Sequence, residues 1–191
     1  MSRDGKSNQP SNLDFHFGGF HELMPHRVDH VLLVCSLYES FILEEDGLVA
    51  ELITTEFLDL RLSHAPRVAR VSSGDEALAF IRSHSVDLVI TMTRLGRLKI
   101  MDFARHIKEI RPTLPVIALV DDPREIVREP GLRDRALVDR IFVWNGDAGI
   151  LLAIVKLIED EHNVEHDARI GDVRVIILIE NSIRFYSTYL P

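Results

Sequence analysis

The sequence predicts an α/β fold built on a doubly wound, five-stranded parallel sheet, and two observations carry that expectation. Short apolar runs rich in β-branched residues recur along the chain. The clearest, Val86 to Met92 (VDLVITM), is too brief for a typical helix and lacks polar alternation, as a strand buried on both faces must. A helical pattern precedes that run from Gly74 to His84, and another follows it from Met101 to Arg111. Strand alternating with helix is the sequence pattern of a parallel sheet covered on both sides. In such sheets ligands and reactive groups collect just past the carboxyl ends of the strands, so any chemistry is expected around Met92. Methionine is a poor residue with which to do any.

Bulk composition narrows the classes. A chain of 191 residues suffices for one domain of common size plus extensions, burying roughly two thirds of its unfolded surface. With 46% hydrophobic and 27% charged residues it sits near the globular average. It has no apolar run of about 18 residues or more, so no membrane partner is expected. The opening MSRDGKSNQPSNLDF lacks the apolar core of a secretory signal, and the single cysteine, Cys35, cannot form an internal disulfide. A reducing cytoplasm is the expected location. A net charge of −8 opposes non-specific attraction to nucleic acid, and no nucleic-acid partner is expected.

Residues 1–27 are expected to form a polar tail, Met1 to about Asn12, and an apolar arm, Phe15 to Met24 (FHFGGFHELM), packed on the domain and stopped by Pro25. His30 to Ser36 (HVLLVCS) is the first strand. Phe41 to Leu62 is a long helical region in which Val49, Ile53 and Phe57 share a stripe. Arg67 to Ser72 alternates polar with apolar, as suits an edge strand. Ser73 caps the helix Gly74 to His84, whose Ala77, Leu78 and Ile81 face inward. After the Val86 strand come a loop, Thr93 to Lys99, and a helix from Ile100 to Arg111 ended by Pro112. Pro115 to Val120 is the fourth strand. One or two short helices broken at Pro130-Gly131 follow, then a fifth strand, Arg140 to Trp144, and an apolar helix, Asp147 to Glu161. The domain so defined covers 28–162. Residues 163–172, within the charged stretch Glu159 to Asp172, mark a linker. Residues 173–191 open a second domain with a strand, Val173 to Ile179, and a helix-like stretch to Tyr189.

This five-fold alternation resembles the receiver domain of bacterial two-component response regulators, with the flavodoxin-like strand order 2-1-3-4-5. The best local piece is Val86 to Leu119, where DLVITM, a loop with Gly96, FARHIKEI and RPTLPVIALV follow the family's order. The resemblance implies phosphoryl transfer to an aspartate ending the third strand and an acidic pair after the first strand that holds Mg²⁺. It also implies a hydroxyl residue after the fourth strand and a lysine after the fifth. By position these fall on Met92, on Cys35 and Ser36, on Val120 and on Trp144, and none matches. The chain is therefore expected to be a pseudo-receiver, not an enzyme, with no cofactor and no metal, whose degenerate pocket is formed by those five residues. The opening VRVIILIENS at Val173 resembles the start of another receiver-like domain. Together with LYESFILEEDG at Leu37 to Gly47, it is similar to paired modules that precede a phosphoenolpyruvate synthase or pyruvate, phosphate dikinase type of region.

Other groups were weighed for chemistry. Cys35 has no adjoining Lys or Arg to lower its pKa and reads as a small apolar filler. His16, His21 and His26 are interrupted by Gly18-Gly19 and Pro25, and His162 and His166 lie in the charged stretch, so neither set offers the three or four converging ligands zinc needs. Asp121-Asp122 reads as a helix N-cap. Trp144 either fills the pocket mouth or is an interface aromatic. Cys35 to Phe41 contains no glycine, which excludes a dinucleotide fingerprint and a P-loop. Two rival functions stay open. One is phosphoryl acceptance at an atypical residue such as Asp87 or Asp102, and the other is a structural or dimerisation module of a phosphoenolpyruvate-utilising enzyme. The expected partners are other domains of the same polypeptide and a second copy, docked through Ile150, Leu151, Ile154, Val155 and Ile158 of a helix that is apolar nearly all round.

Overall fold

The computed structural model describes residues 23–36, 38–39, 66–146, 149–171, 175 and 182–189. The helix expected over Phe41 to Leu62, all but the last two residues of the arm, the start of the apolar helix at Asp147 and, apart from Val175, the strand over Val173 to Ile179 lie outside them. The main strands are β1 (His30–Val34), β2 (Arg67–Val71), β3 (Leu88–Met92), β6 (Val116–Val120) and β7 (Arg140–Val143). They form one all-parallel sheet in the order β2-β1-β3-β6-β7. This is the expected order of 2-1-3-4-5 once a small hairpin, β4 (Arg94–Leu95) and β5 (Leu98–Lys99), is set aside.

Burial follows position in the sheet. Every residue of β3 (LVITM) and β6 (VIALV) is buried, whereas the edge strands β2 and β7 are mostly half-buried. One face of the sheet carries Leu32, Val34, Val89, Val116 and Ala118 against the helices α1 (Gly74–Ser83) and α2 (Ile100–Ile110). Ser73 caps α1, its Oγ accepting the Glu76 N–H at 3.3 Å. The α2 residues Ile100, Phe103, Ala104 and Ile107, spaced three and four apart, all point inward. The opposite face carries Val31, Leu33, Leu88, Ile90, Ile117, Leu119 and Phe142 against α4 (Gly149–Gly171). Between β6 and β7 come α3 (Arg124–Arg128) and a 3₁₀ turn that starts at Pro130. A last helix, α5 (Ile183–Tyr189), lies against β7, where Ser187 Oγ accepts the Val143 N–H at 2.8 Å and Tyr186 stacks on Phe142. Among the described residues, no helix is long and apolar enough to cross a membrane.

Three expectations are corrected. The loop over Thr93 to Lys99 contains the β4–β5 hairpin, because Leu95 is buried and Leu98 packs beside the α1 and α2 core. Its turn has Gly96 at φ 74° followed by Arg97, as a two-residue type II′ hairpin requires. Gly74 permits the close seat, since a Cβ there would meet Leu98 Cδ2 at 2.9 Å. The helix expected to end at Glu161 is longer: α4 runs on through the charged stretch to Gly171. At the start of α3 Asp122 caps as expected, its Oδ1 accepting the Arg124 N–H at 2.9 Å and its carbonyl the Glu125 N–H at 2.8 Å, with Pro123 in the first helical position. Finally, Ile150, Leu151, Ile154, Val155 and Ile158 are each 3% exposed or less. They pack into the chain's own core with Val28 and Tyr186, while Leu152 and Leu157 of the same helix are half-buried.

Candidate functional site

The carboxyl ends of the strands gather the residues singled out in the sequence. Cys35, directly after β1, gives its N–H to Val71 O at 3.1 Å, and Trp144, directly after β7, gives its N–H to Val120 O at 2.9 Å. Cys35, Met92 and Trp144 are 3%, 2% and 7% exposed and belong to one buried cluster on the α4 face. Val120 is equally buried but belongs to the cluster on the α1 and α2 face. Side chains alternate along a strand, so the last residue of β6 points away from the face that its neighbour Leu119 shares with Met92. The five expected residues therefore do not line one pocket. Three share a core, one lies across the sheet, and Ser36 is bound elsewhere.

Ser36 takes part in a reciprocal cap that the sequence reading missed. Its N–H donates to Glu39 Oε2 at 2.6 Å, and its Oγ accepts the Glu39 N–H at 3.2 Å. This is a capping box, and its signal, Ser36-Leu37-Tyr38-Glu39, is legible in the sequence. Further along the same edge, Thr93 Oγ1 donates to Glu125 Oε2, while Glu125 Oε1 accepts the Asp122 N–H at 3.3 Å. Asp121 faces Arg94 of the hairpin at 3.4 Å. Burial pushes the Asp121 carboxyl above its usual range, Glu125 and Glu39 add to that by repulsion, and Arg94 opposes it.

Chemically, this edge offers little to a hard cation. Mg²⁺ is held by several oxygen ligands, whereas Cys35 presents a buried sulfur and the Ser36 hydroxyl accepts a backbone N–H. Glu39 and Glu125 are already bonded within the chain. The residues present do not fit the metal that the family resemblance implies. Among the described residues, no three His, Cys, Asp or Glu are grouped to hold a metal ion.

A groove of about 930 Å³ opens at the other end of the sheet, between Pro25 to Asp29, Asp87 and Arg111 to Pro115. Its charged walls serve the strand ends. Asp87 Oδ2 accepts the N–H groups of Asp29 and His30 at 3.1 and 2.9 Å, and Arg111 donates to the carbonyls of His84 and Val86 at 2.7 and 3.3 Å.

The state of Asp121 can be read by titration. A carboxyl whose folded-state pKa is raised costs stability when ionised, and the cost fades as pH falls and the group protonates. Asp121→Asn is expected to melt above the native chain at neutral pH, the difference closing as pH is lowered toward about 4. Thermal melts across that range check it.

No protein-family model and no curated protein matches the sequence. Solved structures do. A response regulator receiver domain protein from Clostridium thermocellum superimposes with a TM-score of 0.54 at 23% identity, over 71% of this chain and 97% of that one. A CheY-like receiver domain protein from Methanospirillum hungatei JF-1 gives 0.53 at 16% identity, over 72% and 98%. The signal receiver domain of an HD domain-containing protein from Pseudomonas fluorescens Pf-5 gives 0.51 at 20%, over 75% and 99%. With its all-parallel sheet, its strand order and helices on both faces, the chain has the fold of a response regulator receiver domain.

Proposed function

We propose that the chain is a pseudo-receiver, a regulatory module that uses the receiver fold for protein contacts and does not accept a phosphoryl group. The observation that carries this reading is Met92, 2% exposed at the end of β3, in the position that the resemblance gives to the phosphoacceptor aspartate. A thioether has no ionisable oxygen with which to attack phosphorus. Cys35 and Trp144 share its cluster, so an apolar core occupies the place of a charged site. Neither alternative acceptor is better placed. Asp87 holds backbone N–H groups at the amino end of the sheet, and Asp102 lies in the first turn of α2, paired with Arg105 at 2.7 Å. For contacts, the carboxyl edge offers Tyr38 and Val127, exposed by 73% and 72% on the segments that follow β1 and β6.

Two measurements test the reading. Incubation with acetyl phosphate and Mg²⁺, followed by intact-mass spectrometry, is expected to leave the mass unchanged, and a beryllofluoride mimic is expected to leave the fluorescence of Trp144 unchanged. A stoichiometric aspartyl phosphate overturns the proposal. In the second, Met92→Asp places a carboxylate in an apolar cluster and is expected to cost roughly 1 to 3 kcal/mol at neutral pH, less in acid, where the group is neutral. Urea denaturation at two pH values measures it, and an unaltered stability would mean that the site is open to water.

A further inference from the structure

The second half of α4 ought not to be a stable helix on its own. Residues 159–167 read EDEHNVEHD, five carboxylates in nine positions that include the like-charged pair Glu161 and Glu165 four apart, a spacing that disfavours the helix. Burial raises the Asp160 carboxyl pKa, Lys156 opposes the shift, and Glu159 and Asp167 add to it. The buried stripe is polar as well: Glu159 and Asn163 are 4% and 1% exposed.

Part of that stripe is satisfied within the helix, Lys156 Nζ donating to Glu159 Oε2 and Asn163 Nδ2 to the Glu159 carbonyl, both at 2.7 Å, and the rest by the backbone of a strap, Met24 to Val28, that enters the domain ahead of β1. Glu159 Oε1 accepts the Val28 N–H at 3.1 Å, Asn163 Oδ1 accepts the His26 N–H at 2.9 Å, and Asp167 Oδ1 accepts the Met24 N–H at 3.0 Å. Asn163 Nδ2 returns a bond to His26 O at 2.7 Å, so one amide takes both polar groups of one strap residue. The spacing matches. Four helix residues rise about 6 Å and two extended residues about 6.6 Å, so positions 159, 163 and 167 keep step with 28, 26 and 24 running the other way. Along the strap Pro25, His26 and Arg27 are exposed, and Val28 is buried in the core. Its first bonded residue, Met24, sits at φ 54°, a left-handed conformation that a non-glycine residue keeps only when its surroundings impose it.

We propose that the Glu159–Asn163–Asp167 stripe is a strand-reading surface occupied by the chain's own residues 24–28, and that this occupancy, not helix propensity, holds residues 160–171 helical. Strap and helix end form one latch. Docked, it carries a rigid helix to Gly171. Released, it lets the helix fray back toward Glu159.

Hydrogen exchange on the full chain tests this, and the sign of one substitution decides it. Alanine is the best helix former, so Asn163→Ala would firm an autonomous helix. The latch predicts the reverse, with amides of 164–171 exchanging about tenfold faster or more as the bonds to His26 are lost. The sheet amides of β3 and β6 are expected to keep their protection. His26→Pro removes the strap donor and leaves the helix sequence intact, and it is expected to loosen the same amides. Unchanged or slower exchange at 164–171 in either variant overturns the proposal. So does a parallel loss of protection in β3 and β6, because the latch requires the helix end to open alone.

Discussion

The two-sided burial of β3 and β6 is the constraint on which the rest depends. A strand with no exposed residue can be neither an edge nor one side of an open sheet, so it needs a strand on either side and a layer above and below. β1 and β7 supply the flanks, α1 and α2 one layer, and α4 the other. The strongly apolar start of α4 is a consequence of that demand. Its isoleucines and leucines go to a sheet face that Val31, Leu33, Ile90, Leu119 and Phe142 make continuous.

With the middle of the sheet largely apolar on both faces, the polar groups described above gather at its two ends, where they behave differently. At the amino end they are structural, with Asp87 and Arg111 satisfying strand-end backbone. At the carboxyl end they hold the following loops, with Glu39 capping the segment after β1, Glu125 tying Thr93 to the segment after β6, and Asp121 facing Arg94 of the hairpin. In a fold that elsewhere uses this end for charge, the chain has buried sulfur and indole beneath a rim of mutually satisfied side chains.

The sheet was legible because its signal is local. Runs such as LLVC, LVITM and VIALV reveal their burial without help from elsewhere, and Ser73 and Pro112 mark helix limits by chemistry confined to one turn. What escaped the sequence depends on distant partners. Residues 163–171 look like a linker because the backbone that satisfies Asn163 and Asp167 lies 137 and 143 positions away. The apolar excess of α4 suggested a dimer face because nothing local says that Val28 and Tyr186 pack beside it. Val120 was assigned to the Met92 pocket by chain position, whereas side-chain alternation along β6 sends it to the other face. Glu39 could have been found, since a serine three residues ahead of a glutamate at a helix start is a local pattern.

The contact between Ser187 and Val143 bears on the solution behaviour of the sheet. An edge strand exposes a row of backbone donors and acceptors to which another chain can add. On β7 the outward N–H of Val143 is taken by a hydroxyl of the same chain, whereas β2 at the opposite edge carries Arg67 and Arg70. The β7 edge is thus guarded by occupancy. Salt screens charge within about 10 Å at 0.1 M and leaves a buried hydroxyl bond nearly untouched. The protection of the β7 edge at Val143 is therefore of a kind that saline conditions leave in place.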